Sequence, residues 1–261
     1  MLACPPVRAF LNLYELPKTE FRENLFQKTM ISSITTQLPN LITWAVLWLA
    51  SWAIFFGFVY KRVDYIKHFA WTASYFLVTA VITIVIFKEH ILEVVQNFVL
   101  IPIVVLIVII VTHIWLYSYL LKNFKKPAEY FEKYPKRTFL QIDFRRMISK
   151  SMDLFAQQIF IVLLALFLKD AGLTLGQIII AFALIFGAVH APLIIFERGW
   201  PLWFFTIFSI LSAVIFPILI LRVNYGFVYS YIVHWTFYTL MAIVFWILHP
   251  KLLKSYDFSK S

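Results

Sequence analysis

LTLGQIIIAFALIFGAVHAPLIIF, residues 173–196, contains no Lys, Arg, Asp or Glu, and its one ionisable side chain is His190. A helix crossing a bilayer needs roughly 20 mainly apolar residues. The stretch shows no barrel-like alternation, so a helix, which satisfies its own backbone hydrogen bonds, is what it specifies. GFVYSYIVHWTFYTLMAIVFWIL, residues 226–248, has the same character and again a single histidine, His234. Ionisable groups deep in such runs are expensive and mark a working site by default.

Outward from these two, apolar runs at about 41–60, 69–87, 98–121, 152–168 and 200–221 raise the number of expected spans to seven. With 62% hydrophobic and 14% charged residues, the chain is outside the range of soluble globular domains. The expected fold is all-α, a polytopic transmembrane helix bundle of seven spans, or eight if part of 21–38 forms a further buried or re-entrant helix. The divisions are an N-terminal tail at 1–40, which an interfacial helix could occupy, a front section of three spans at 41–121, a basic loop at 122–150, a four-span core at 151–248 and a tail at 249–261.

The net charge of +10 does not imply nucleic acid, because the basic residues lie in short loops beside spans. The N-terminal tail and the segments after spans two, four and six hold seven Lys and Arg, against sixteen after spans one, three, five and seven. The positive-inside bias therefore puts the second side, with the C-terminus, in the cytoplasm. Residues 1–12 lack an apolar core after a basic start, so no cleavable signal peptide is expected and the first span serves as its own signal. Cys4 is the only cysteine, which rules out an intrachain disulfide. In the 122–150 loop, AEYFEKYPKRTFLQIDFRRMISK mixes aromatics with nine basic and three acidic loop residues, a composition suited to an anionic lipid surface. An ordinary cytoplasmic loop reads the same way.

Within the four-span core, Ala183, Gly187 and Ala191 recur every four residues and predict close approach of a neighbouring helix. Pro192 removes a backbone donor and predicts a kink beside His190, with room for water or a substrate carbonyl. Tyr231, His234 and Tyr238 share one helix face and should point into the bundle. Asp153 and Gln157 share a face of span four, with Gln158 about 100° away. The plainer alternatives are a packing kink at Pro192, an interfacial anchor at Tyr231 alone, and interhelical hydrogen bonds for the glutamines.

The order of these features resembles the CPBP family, the CAAX-processing and bacteriocin-processing intramembrane proteases. That family has a glutamate pair followed by an arginine, then Phe-x-x-x-His on the next helix, then His-x-x-x-Asn or Asp on a later one. Phe186-Gly187-Ala188-Val189-His190 matches the second element, and His234 with Tyr238 matches the first half of the third. Gln157-Gln158-Ile159-Phe160-Ile161-Val162 falls where the first should be. The resemblance covers about 150–248 and implies a peptide bond in a membrane-bound, for instance prenylated, protein as substrate, with His190, His234, Gln157, Gln158, Tyr238 and Phe186 at the site.

The departures bear on the chemistry. In the family the glutamate acts as general base, and a glutamine amide cannot accept that proton. Tyr238 replaces the Asn or Asp, and Val162 the arginine. The expected function is a family homologue with lost or altered peptidase activity. The alternatives are an active endopeptidase with a substitute base (Asp153 or a histidine), a non-catalytic partner-binding or immunity protein, and a small transporter. A divalent metal such as zinc needs three protein ligands and an open position. His190 and His234 supply two, His113 is a candidate third, and Glu89, His90 and Glu93 also look ligand-like.

Overall fold

The structure is a computed structural model, and it describes residues 20–61, 63, 65–95, 100–125, 127–128, 131, 141–196 and 200–255, excepting the side chains at 20–31, 59, 101, 189–206 and 248–255. The elements are α1 (Glu20–Tyr60), α2 (Phe69–Ile86), α3 (Lys88–Val95), α4 (Leu100–Asn123), α5 (Phe144–Asp170), α6 (Leu175–Phe196), α7 (Trp200–Arg222) and α8 (Gly226–Ser255). No strand occurs among the described residues.

Among the described residues, five helices are long and apolar enough to cross a membrane: Ser32–Phe58, Phe69–Ile86, Pro102–Asn123, Phe144–Asp170 and Gly226–Ile247. Of the seven expected spans, the fifth and sixth fall short of this among the described residues, where α6 and α7 give the shorter apolar lengths Leu175–Ala188 and Ile207–Arg222. The segment 21–38 is no separate eighth helix. It runs through Pro39 into the first span as one 41-residue helix.

α5 is the axis of the molecule. Of its apolar window 78% is buried, against 6% for α1 and 44% for α8. Every residue from Gln158 to Leu166 is buried, as befits a helix that is apolar all round. α2 packs along one side, α1 beside it, and α7 and α8 on the others, while α6 packs chiefly on α7. Trp44 fixes α1 by donating its indole N–H to the carbonyl of Phe160 at 2.9 Å. The outward faces stay apolar, as Val46, Leu49, Val85, Ile107 and Val111 show, a surface that suits lipid.

Two boundaries differ from expectation. α5 starts at Phe144, inside the stretch read as basic loop, because Asp143 caps it by accepting the N–H of Arg145 at 2.8 Å. Arg146 and Ser149 are thereby turned inward and buried. The small-residue stripe on α6 makes no close contact at Gly187 among the described residues: Gly187 is exposed and no described atom lies within 4 Å of where its Cβ would stand, while the side chain of Ala191 lies outside the described residues. The close approach lies instead at Gly226, where α8 follows Tyr225 (φ 61°) and any Cβ would collide with the carbonyl of Leu219.

Candidate functional site

Arg146, Lys150, Asp153 and Gln157 are spaced four, three and four residues apart, so they form one stripe on α5. Two serines clamp this part of the helix. Ser149 donates toward the carbonyls of Tyr65 (3.0 Å) and Phe69 (3.2 Å) in the turn leading into α2. On the other side, Ser151 receives the indole N–H of Trp235 at 2.7 Å, and its carbonyl receives the Tyr231 hydroxyl at 3.1 Å. Tyr231 is thus a strut between α8 and α5.

Along the stripe, Asp153 is the hub. Its Oδ2 accepts from Lys150 Nζ at 2.7 Å and from the Tyr65 hydroxyl at 2.9 Å, and its Oδ1 accepts from Gln157 Nε2 at 2.7 Å. Both side chains of the ion pair are largely withdrawn from solvent. Lys150 Nζ also lies 4.1 Å from the ring centroid of Tyr238, a cation–π contact. Burial and then the Asp153 carboxylate push the Tyr65 phenol well above its ordinary value, which keeps it a donor. Asp153 is therefore not an uncommitted base.

Deeper in the bundle is a cavity of about 50 Å³, room for a few waters. Gln157, Phe186, His234 and Tyr238 line it together with Ser209 and Ser212, and with Phe208, Phe216 and Phe237. His234 packs between Phe216 (5.2 Å between centroids) and Tyr238 (5.6 Å). Four of the six residues selected from sequence thus come together. Gln158 does not join them: it is fully buried and donates from Nε2 to Ser230 Oγ at 2.6 Å, while among the described residues its Oε1 has no hydrogen-bond partner. His190 is helical within α6, but its side chain and any kink at Pro192 lie outside the described residues.

The lining can donate to or accept from a peptide group through its amide, hydroxyls and imidazole. None of the described residues lining the cavity is a carboxylate. The metal reading gains no support from the donors described. No three His, Cys, Asp or Glu converge among the described residues. His113, the candidate third ligand, has Nδ1 2.7 Å from the Ile109 carbonyl and its ring against Trp235 at 4.0 Å. On α3, Glu89 is exposed beside Lys88 and His90 packs edge-on against Phe167.

Sequence reasoning missed Tyr65, Tyr117, Arg146 and Lys150. The four-three-four spacing from Arg146 to Gln157 was the available signal, hidden because its first half read as positive-inside loop. Ser209 and Ser212 carried no signal at all. No family model, no curated protein and no solved structure matches the chain.

Proposed function

We propose that this chain is a CPBP-type membrane scaffold that binds, rather than cleaves, a membrane-bound peptide or protein in the cavity that α5, α6, α7 and α8 line. The observation that carries the reading is convergence. Gln157, Phe186, His234 and Tyr238 come from three helices that hold the three elements of the family-like pattern, and they line one cavity. The loss of cleavage rests on the same geometry, since an amide stands where the general base belongs. The nearest alternative, Asp153, already accepts from Lys150, Tyr65 and Gln157. In this proposal α6 and α7 also cross the membrane, giving seven passes, and the charge bias leaves the C-terminus in the cytoplasm.

One observation favours a second reading, an active endopeptidase with a histidine base. His234 faces a space that admits water, and a base with a water at hand is what hydrolysis requires.

A membrane-anchored peptide library, prenylated members included, separates the two in nanodiscs. Wild type should cleave nothing, while a photoreactive library peptide should crosslink to wild type and not to Ser212→Trp, whose indole fills the cavity. Cleavage appearing only in Gln157→Glu would support a scaffold that has lost its base. Wild-type cleavage abolished by His234→Ala would overturn the binding reading in favour of the active one.

A further inference from the structure

Arg146 is only 2% exposed, yet among the described residues its guanidinium makes one hydrogen bond, from Nη1 to the Tyr117 hydroxyl at 3.3 Å, and its Nε has no partner. A guanidinium carries five N–H donors in a planar fork. Buried charges are paired or bound to something, because an uncompensated one is strongly destabilising. The buried carboxylate on the same helix face is not free to serve, since Lys150, Tyr65 and Gln157 occupy Asp153.

Beside the guanidinium is a cleft lined by Tyr117, Arg146, Lys150, Trp235, Tyr238 and Thr239, with Met147 and Leu154 as its apolar wall. Its space is about 10 Å³, close to what one water-sized atom occupies. The wall of this space is mostly carbon, and of its two cations Lys150 is already paired with Asp153, so Arg146 is the side chain with donors left for an oxygen placed there.

We propose that Arg146 and Lys150 form a binding site for one phosphate oxygen of an anionic phospholipid headgroup, the rest of the phosphate staying outside the cleft. Position favours the lipid over free phosphate. Arg146 is in the first turn of a 27-residue helix, about 40 Å long at 1.5 Å per residue, whereas the hydrocarbon core is about 30 Å thick. With α5 spanning the bilayer, its first turn lies at headgroup level. The unsatisfied N–H groups of that turn add positive potential, and basic pockets between helices at this depth hold lipid headgroups in other membrane proteins. The site is independent of the deeper cavity's function, and it narrows the lipid contact expected of the 122–150 loop to two residues.

The experiment is native mass spectrometry, with parallel thermal unfolding, of the full chain in phosphatidylcholine nanodiscs and in nanodiscs also containing phosphatidylglycerol. Wild type should retain phosphatidylglycerol in preference to phosphatidylcholine and unfold at higher temperature in its presence. Arg146→Gln should weaken that retention at least about fivefold, the attraction of one basic residue for an anionic surface. Arg145→Gln is the control: its side chain is exposed on the same turn, so an equal loss there would reduce the effect to general surface charge and overturn the site. Equal retention of the two lipids by wild type, or full retention by Arg146→Gln, would also overturn it. Stabilisation by inorganic phosphate in phosphatidylcholine alone, matching that by phosphatidylglycerol, would overturn the lipid as source. If Arg146→Gln fails to fold, Tyr117→Phe and Arg146→Lys carry the test. Both keep the positive charge while removing the bond that orients the fork or the fork itself, and undiminished retention in both overturns the proposal.

Discussion

The two clefts along α5 share Tyr238 and differ in almost everything else. The one at the start of the helix is lined by Arg146 and Lys150 and admits a single water-sized atom, while the deeper one is lined by an amide, hydroxyls and an imidazole and admits several. The charged side chains stand in the first turns of α5, and neutral hydrogen-bonding groups stand further along the helix. Full charges far from water are the costliest case in an apolar medium, and neutral polar groups are much less so. Asp153 is the divider. It neutralises Lys150 on one side and holds the Gln157 amide of the deeper cavity on the other.

Removing that divider should produce the largest effect. Asp153→Asn keeps the shape and leaves Lys150 as a withdrawn, uncompensated charge, so it should destabilise by about 3–5 kcal/mol. The double change Lys150→Met with Asp153→Leu should recover most of this, because replacing a buried ion pair with apolar residues of similar size is often close to neutral. Thermal unfolding in detergent measures both. A neutral Asp153→Asn would mean that no ion pair separates the clefts.

Tyr65 sharpens the same boundary through pH. Its hydroxyl donates to a charged carboxylate, a bond worth about 1.5–3 kcal/mol, which Tyr65→Phe should remove. The folded phenol titrates well above the ordinary 10.0, from burial first and Asp153 second. A raised acid makes its contribution in full below the unfolded value and loses it as pH rises from there through the folded value. Wild type should therefore lose stability steeply above about pH 10, and Tyr65→Phe should lose less over the same window. Parallel alkaline slopes in the two proteins would detach Tyr65 from the ion pair.

The helical architecture was legible because apolar composition and run length, which hold no tertiary information, suffice for it. The α5 boundary was not. Arg145, Arg146 and Lys150 have the composition of a flanking loop, and the inward turn depends on the local Lys150–Asp153 ion pair together with a tertiary hydrogen bond to that carboxylate from Tyr65, 88 residues before it. Gln157, Phe186, His234 and Tyr238 could be found because each is polar or motif-placed within an apolar run. Ser209 and Ser212 could not, since serine is common in apolar helices and its place at the cavity depends on how α7 is rotated against α8. The stripe at Gly187 meets no described neighbour for a related reason. Small residues permit close approach without requiring it, whereas the collision awaiting a Cβ at Gly226 does require glycine.

The smallest effect separates the adjacent glutamines. Gln158 is fully buried and bonded across to Ser230 on α8, whereas Gln157 faces the cavity. A hydrogen bond between membrane helices contributes about 0.6–1.7 kcal/mol, so a double-mutant cycle of Gln158→Leu and Ser230→Ala should give a coupling in that range and leave peptide crosslinking in the cavity unchanged. Gln157→Leu should do the reverse, with little change in unfolding and a clear loss of crosslinking, because its side chain is partly exposed to the cavity and its partner Asp153 keeps two other donors. The same division applies to acidic substitution. Gln158→Glu places a carboxyl in a dry contact where it would stay protonated, and only Gln157→Glu puts one against the water-accessible space beside His234. Equal losses of crosslinking in Gln157→Leu and Gln158→Leu would mean that the cavity extends to the α5–α8 contact and that the two amides act as one.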